Sequence, residues 1–130
     1  LLCKKVKDFK RYGVPTVDKI NEDLFNVREV IEKPNKPKSN FGILPLYYFK
    51  SDIFSSLKNI KLGKGKEFQL TDGIEKLIEN KQKVLAITLK ENEEEVDVGT
   101  VESFKQSQEP HIYISVRSMS SVISGRSNVI

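Results

Sequence analysis

A glutamate and a lysine stand side by side where a β-prone run meets a proline. Val30 and Ile31 predict the end of a strand, and Pro34 stops that strand because it lacks an N–H donor. Glu32 and Lys33 are therefore expected where a strand opens into a loop, which is where ligands collect in open α/β sheets. The carboxylate can accept from sugar hydroxyls and the ammonium can hold a phosphate. The same tripeptide is also typical of a solvated surface turn.

A second group that could do chemistry is Asp97-Val98-Gly99-Thr100. A carboxylate at a strand end, followed by glycine and a helix-capping threonine, can hold Mg²⁺, which needs only one or two protein carboxylates besides substrate phosphates. The alternative is an aspartate in a turn before a capped helix. Cys3 and His111 are the only residues of their types, so an intrachain disulfide, a cysteine zinc site and a two-histidine metal site are excluded. No residue is assigned a catalytic role with certainty.

The elements that must position these residues follow from apolar patterning. Residues 16–20 and 27–31 are β-prone and are joined by the turn-forming residues 21–23, which predicts a hairpin that ends at Glu32. Gly13, just before this hairpin, could adopt a positive φ or let a ligand approach the backbone closely. Residues 33–40 predict a loop because they contain two prolines and a Ser-Asn pair. Further strands are predicted over residues 1–6, 41–49 and 83–89, and a further helix over 101–107.

Two of these elements carry specific expectations. Thr71 is expected to cap a helix whose apolar stripe, Ile74, Leu77 and Ile78, packs against the sheet. The run 41–49 predicts a buried strand, although Pro45 inside it indicates an edge, a bulge or a break.

Length and charge describe one ordinary globular domain. The chain has 130 residues, 31% of them charged and 38% hydrophobic, with a formal net charge of +4. Eight lysines and one acid, Asp52, lie between Lys33 and Lys66, which could serve a phosphate or a nucleic acid. Because no arginine occurs there, a solvated surface is favoured over nucleic-acid binding. No apolar run approaches 18 residues, so no membrane span is predicted and a cytoplasmic location is expected.

Several short motifs follow one another in a fixed order along residues 1–108. They are Tyr12-Gly13-Val14, Glu32-Lys33-Pro34, Pro37-x-Ser39-Asn40, Tyr47-x-Phe49, Ile53-Phe54, Gly65-x-Glu67-x-Gln69-Leu70-Thr71-Asp72-Gly73-Ile74 and Asp97-x-Gly99-Thr100. In this order and spacing the chain resembles the sugar-1-phosphate nucleotidylyltransferases, of the UTP–glucose-1-phosphate uridylyltransferase or glucose-1-phosphate thymidylyltransferase type.

The resemblance implies an α/β fold, namely the C-terminal half of a Rossmann-like mixed sheet of the nucleotide-diphospho-sugar transferase type. Residues 1–108 would form this sugar-phosphate-binding half, and residues 109–130 a tail. The implied reaction joins a hexose-1-phosphate to UTP or dTTP and releases pyrophosphate. Glu32 would hold sugar hydroxyls, Lys33 the sugar phosphate, and Asp97 one Mg²⁺, while Gly13 would let the backbone meet the sugar. Residues 69–72 are expected to form a positioning and packing motif that takes no direct part in the reaction.

The chain departs from the family pattern in two ways. Pro45 stands where the family usually has glycine, two residues before the tyrosine of a Gly-x-Tyr-x-Phe strand. The glycine-rich Gly-x-Gly-x-Arg segment that binds the triphosphate is missing, as is the second metal-binding aspartate. Together with a start that is not Met, this predicts a piece of a longer enzyme that binds UTP or dTTP only when the missing half is supplied.

Without that half we expect no activity. The alternative is a non-catalytic sugar-phosphate-binding or regulatory module built on the same half-fold. Half of a sheet would leave an open edge and uncovered apolar residues, which predicts a homo-oligomer or a companion segment.

Overall fold

The computed structural model describes residues 1–63, 66–93, 95, 98 and 100–108, and falls into two compact units, Leu1–Lys90 and Glu91–Ile130. The described part of the first unit contains one mixed sheet, two α-helices and a short 3-10 helix (Phe9–Arg11), and that of the second contains one α-helix. The elements are β1 (Leu2–Lys5), β2 (Gly13–Lys19), β3 (Leu24–Glu32), β4 (Phe41–Ile43), α1 (Asp52–Leu57), α2 (Leu70–Glu79), β5 (Leu85–Thr88) and α3 (Val101–Ser107). The predicted boundary after residue 108 stays a prediction, because residues 109–130 are not described.

The sheet has the strand order β2-β3-β5-β1-β4. Strands β1 and β5 are parallel, whereas the β2–β3, β3–β5 and β1–β4 pairs are antiparallel. Strand β5 lies between β3 and β1, so a strand late in the sequence joins two strands that come early in the sequence. The predicted α/β architecture with a mixed sheet is therefore found, with β2 and β4 at its edges.

The β2–β3 hairpin forms where the sequence predicts it. Its turn is closed by the Asn21 side chain, whose Oδ1 accepts from the backbone N–H groups of Asp23 (3.2 Å) and Leu24 (2.9 Å). The ladder contains one β-bulge, where Arg28 has no register partner between the Val17–Val27 and Thr16–Glu29 pairs. Beyond this bulge the register pairs Gly13 with Glu32 at the open end. The two strands thus bring the first residue of β2 to the last residue of β3.

Helix α2 packs against β3 and α1, and its apolar stripe is the predicted one. Ile74 is completely buried, Leu77 is almost so, and Ile78 packs on the core from its margin. Gly73 lets α1 approach closely, because a Cβ there would lie 2.5 Å from Cδ2 of Leu57. The core cluster consists of Leu1, Cys3, Val27, Val30, Ile43, Ile53, Ile74, Leu77, Val84 and Ala86.

Two predictions of local structure are wrong. Strand β4 ends at Ile43 rather than at Phe49, because the chain turns at Pro45, where the sequence indicates an edge, a bulge or a break: Leu46 N–H donates to Leu44 O at 2.7 Å. The residues after Pro45 form no strand, and Tyr48 is 57% exposed. Thr71 also does not cap α2, since the helix begins at Leu70 and its N-cap position is Gln69.

The second unit contributes α3, which lies over the predicted residues. Thr100 caps this helix as expected: its Oγ1 accepts from the backbone N–H of Ser103 at 3.1 Å, and Ser103 Oγ accepts from the N–H of Thr100 at 3.0 Å. Among the described helices, none is long and apolar enough to cross a membrane.

Strand β3 extends beyond its neighbour β5, and a side chain from α2 substitutes for the missing partner. Strand β5 pairs only with residues 24–26 of β3. The N–H of Val30, four residues further on, donates instead to Oε2 of Glu75 at 2.6 Å. Partial burial raises the pKa of the Glu75 carboxyl above its usual 4.5, although the hydrogen bond from Val30 acts in the opposite direction. The charges of Glu29 and Glu79 also raise this pKa, and the charge of Lys38 lowers it.

This raised pKa predicts a pH-dependent stability term. Just above pH 4.5 the native state still binds the Glu75 proton that the unfolded state has lost, so this residue's contribution to the free energy of unfolding falls as pH rises. Glu75→Gln keeps a carbonyl acceptor for Val30 but cannot titrate. Urea unfolding from about pH 4 to about pH 7 should therefore show the variant gaining on the wild type as pH rises. Glu22→Gln is the control for removing a negative charge, because Glu22 is exposed in the hairpin turn and does not contribute to the pKa of Glu75. A difference between E75Q and wild type that does not change with pH would contradict the account.

Candidate functional site

The candidate site lies at the open end of the β2–β3 hairpin, where the register pairs Gly13 with Glu32. Lys33 follows directly, and its backbone N–H still donates to Tyr12 O at 3.0 Å, which makes it the last link of the hairpin. The start of α2 reaches the same point through Thr71. Gly13, Glu32 and Lys33, the residues predicted to bind a sugar phosphate, are thus together.

A left-handed turn at Lys33 brings its ammonium back toward Glu32. Successive side chains of a strand point to opposite faces, so a continued strand would separate these two residues. Lys33 instead has φ 45°, and its Nζ lies 3.6 Å from Oε1 of Glu32. A positive φ is unusual for lysine and costs on the order of 1 kcal/mol. The Lys33 side chain is 46% exposed and the Glu32 side chain beside it is 17% exposed.

The Glu32 carboxylate is held on its other oxygen. Oε2 accepts from the hydroxyl of Thr71 at 3.1 Å. A carboxylate offers about four acceptor positions, so two protein neighbours leave capacity for hydroxyl groups of a ligand. Burial raises the pKa of the Tyr47 phenol, and the charge of Glu32 contributes in the same direction. Tyr47 stacks on Phe49, with ring centroids 5.5 Å apart.

Gly13 is required by close packing rather than by an unusual backbone. It lies within β2, and its φ is outside the positive range that favours glycine. A Cβ there would be 2.6 Å from Cγ2 of Thr71 and 3.2 Å from Oε2 of Glu32. Of the two roles open to this glycine, the positive φ is therefore wrong. Protein atoms of Thr71 and Glu32 lie close to Gly13, and its contact with a sugar stays a prediction.

Thr71 is the site residue that the sequence analysis missed. It was interpreted as a helix cap within a positioning and packing motif, but it lies one residue inside α2, is 6% exposed, and contacts both Gly13 and Glu32. The signal that could have identified it is the Thr-Asp pair opening an apolar helix, which is also the pattern of an ordinary cap.

The second predicted group cannot be assessed in the same way. Asp97 and Gly99 lie outside the described residues, so the Mg²⁺ ligand assigned to Asp97 stays a prediction. Within the described part of the chain, no three His, Cys, Asp or Glu side chains are grouped so that they could hold a metal ion. Cys3 is fully buried in the core, and burial raises the pKa of its thiol to about 12, so it is no nucleophile.

Comparison with known proteins identifies one family. The sequence model of a family described as Nucleotidyl transferase matches residues 1–111. UTP–glucose-1-phosphate uridylyltransferase 1 of Staphylococcus saprophyticus is 41% identical over 69 residues, which cover 52% of this chain and 24% of that protein. The UTP–glucose-1-phosphate uridylyltransferase of Pseudomonas aeruginosa is 32% identical over 101 residues, 75% of this chain and 35% of that protein.

Comparison with solved structures points to the same family as the sequence matches. UDP-glucose pyrophosphorylase complexed with UDP-glucose superimposes with a TM-score of 0.73 and 26% identity, over 82% of this chain and 41% of that chain. The chain therefore spans well under half the length of the relatives it matches.

The left-handed turn at Lys33 predicts that two substitutions there differ in their effect on the free energy of unfolding. Lys33→Ala removes the ammonium but keeps a Cβ in a strained conformation, whereas Lys33→Gly removes both. Urea unfolding should show the glycine variant to be more stable than the alanine variant by about 0.5–1 kcal/mol. Lys81, with φ 60° at the end of α2, offers the matched control pair, which should show the same order away from the site. An alanine variant as stable as the glycine variant would show that the turn at Lys33 is not strained.

Proposed function

Because the chain belongs to the sugar-1-phosphate nucleotidyltransferase family, we propose that it provides the hexose-1-phosphate-binding part of an enzyme that joins this substrate to UTP or dTTP and releases pyrophosphate. The family membership and the mixed α/β sheet confirm the resemblance and the fold class predicted from the sequence. The activity of a whole enzyme remains part of the proposal, since the chain spans 41% of the superimposed pyrophosphorylase.

The observation that carries this proposal is the pair formed by Glu32 and Lys33. A hexose-1-phosphate presents an anion next to a set of hydroxyl donors, and the pair presents an exposed ammonium 3.6 Å from a carboxylate with free acceptor positions. Lys33 would bind the phosphate as a point charge, and Glu32 would accept from sugar hydroxyls. The ion pair between them is partly exposed and therefore weak, so a phosphate can draw the ammonium away from the carboxylate at little cost.

The chemical step requires little acid–base catalysis from this part of the enzyme. A phosphate oxygen of the sugar substrate attacks the α-phosphate of the nucleoside triphosphate, and catalysis of such a step is mainly positioning and charge neutralisation. Glu32 and Lys33 would fix the direction from which the attacking oxygen approaches. Mg²⁺, for which Asp97 is the proposed ligand, would supply charge neutralisation on the phosphates. The residues that hold the triphosphate would come from a part not contained in these 130 residues.

We propose further that the chain associates with a second copy or with a companion segment. Large apolar side chains are exposed on the first unit, among them Leu46 at 52%, Phe54 at 68% and Phe68 at 67%. Their removal from water would favour association. Light scattering on the samples used for ligand titration checks this, and a monomer at high concentration would contradict it.

Titration with glucose-1-phosphate tests the proposed function. The wild-type chain should bind it, and Lys33→Ala should weaken binding about tenfold or more, because a hydrogen bond to a charged group is lost. Glu32→Gln should also weaken binding, since the amide accepts fewer hydrogen bonds and loses the charge. Isothermal calorimetry measures both dissociation constants.

The matched control for charge is Lys36→Ala, which removes an exposed lysine from the loop after Lys33 and should leave binding within about twofold. Equal heats for wild type and Lys33→Ala would remove the role assigned to Lys33. The same samples given UTP, glucose-1-phosphate and Mg²⁺ should release no pyrophosphate; release above background would contradict the view that these residues provide only the sugar-phosphate part.

A further inference from the structure

We propose that Thr71 is a positioning residue, whose hydroxyl and methyl groups together aim the Glu32 carboxylate at the sugar. This inference rests on the proposed function and assigns a role to a residue that the sequence pattern alone describes as packing. Thr71 would not touch the ligand itself. It would determine how the group that does so is oriented.

The hydroxyl acts on Glu32. A glutamate side chain has three rotatable bonds, and its last one is poorly restricted, so an unsupported carboxylate samples many orientations. The Thr71 hydroxyl donates to Oε2 at 3.1 Å from a side chain that is 6% exposed, where water competes little. Thr71 lies in the first turn of α2, so no helical carbonyl stands behind it to accept its proton, as one would in a helix interior.

The methyl acts on Gly13. Cγ2 of Thr71 occupies the space in which a side chain at residue 13 would lie, 2.6 Å from the position of a Cβ. Gly13 is the register partner of Glu32 across the hairpin. The two branches of one side chain therefore contact both members of the last strand pair, and they fix the start of α2 against it. Serine lacks the methyl and valine lacks the hydroxyl, so threonine alone makes both contacts.

Two ligands separate orientation from general structure. Inorganic phosphate requires Lys33 but has no sugar for Glu32, whereas glucose-1-phosphate requires both. If Thr71 acts through Glu32, Thr71→Val should weaken glucose-1-phosphate binding about tenfold, because the ligand must then order a Glu32 side chain that the protein no longer fixes. Phosphate binding should stay within about twofold. Thr71→Ser, which keeps the hydroxyl, should restore most of the affinity. NMR titration of ¹⁵N-labelled protein measures both ligands even when binding is weak.

The outcomes distinguish this inference from the proposed function. Equal glucose-1-phosphate affinity of wild type and Thr71→Val would overturn the positioning role, as would an equal loss for both ligands, which would indicate damage to the whole site. If wild type binds no glucose-1-phosphate, the proposed function fails, and a double-mutant cycle of Thr71→Val with Glu32→Gln in urea unfolding still decides the Thr71–Glu32 contact. Additive effects on the free energy of unfolding would then overturn it.

A second cycle tests the methyl contact without any ligand. Gly13→Ala alone should destabilise the fold, because its Cβ meets Cγ2 of Thr71. Adding Thr71→Ser removes that methyl and should recover part of the loss, so the double variant should be more stable than the sum of the single effects. Strict additivity would show that the methyl does not fill this space.

Discussion

The pairing of Gly13 with Glu32 at the open end of the β2–β3 hairpin is the constraint on which the site depends. It is set by a turn at residues 21–23 and by the ladder that follows, including a β-bulge at Arg28 that shifts the register between Val17 and Thr16. A shift of the register by one residue would turn Glu32 to the other face of the sheet and leave Thr71 without its acceptor. The same ladder aligns Val30 with its helix-borne partner Glu75, so one register serves both the packing of α2 and the geometry of the carboxylate.

The left-handed turn at Lys33 follows from this constraint. Glu32 is the last residue that the ladder holds on one face, and a lysine in extended conformation would point away from it. The strained φ, which a residue before proline ordinarily avoids, is instead maintained by the hydrogen bond to Tyr12 and by the buried Pro34. Lys66 and Lys81 also have positive φ, so what links the turn at Lys33 to the site is the position of its ammonium beside Glu32.

The sequence predicts much of this arrangement, and the failures have physical causes. The hairpin, the apolar stripe of α2 and the strand over residues 85–88 follow from periodicity and turn chemistry, which are local. The apolar residues of the run 41–49 predict one strand, but the turn at Pro45 prevents it from continuing beyond Ile43. The role of Thr71 could not be predicted, because its partner Glu32 is 39 residues away and the same residue type is a good helix cap. The turn at Lys33 was hidden because neither lysine nor a following proline favours positive φ.

A crystal structure of the chain with glucose-1-phosphate tests the central claim most directly, that a carboxylate fixed by the hairpin and α2 holds the sugar while Lys33 holds its phosphate. We predict that the Lys33 ammonium leaves Oε1 of Glu32 for the phosphate, while Glu32 keeps its hydrogen bond from Thr71 and accepts from the sugar hydroxyls. A ligand bound elsewhere, or bound here with Glu32 turned away from Thr71, would contradict the account.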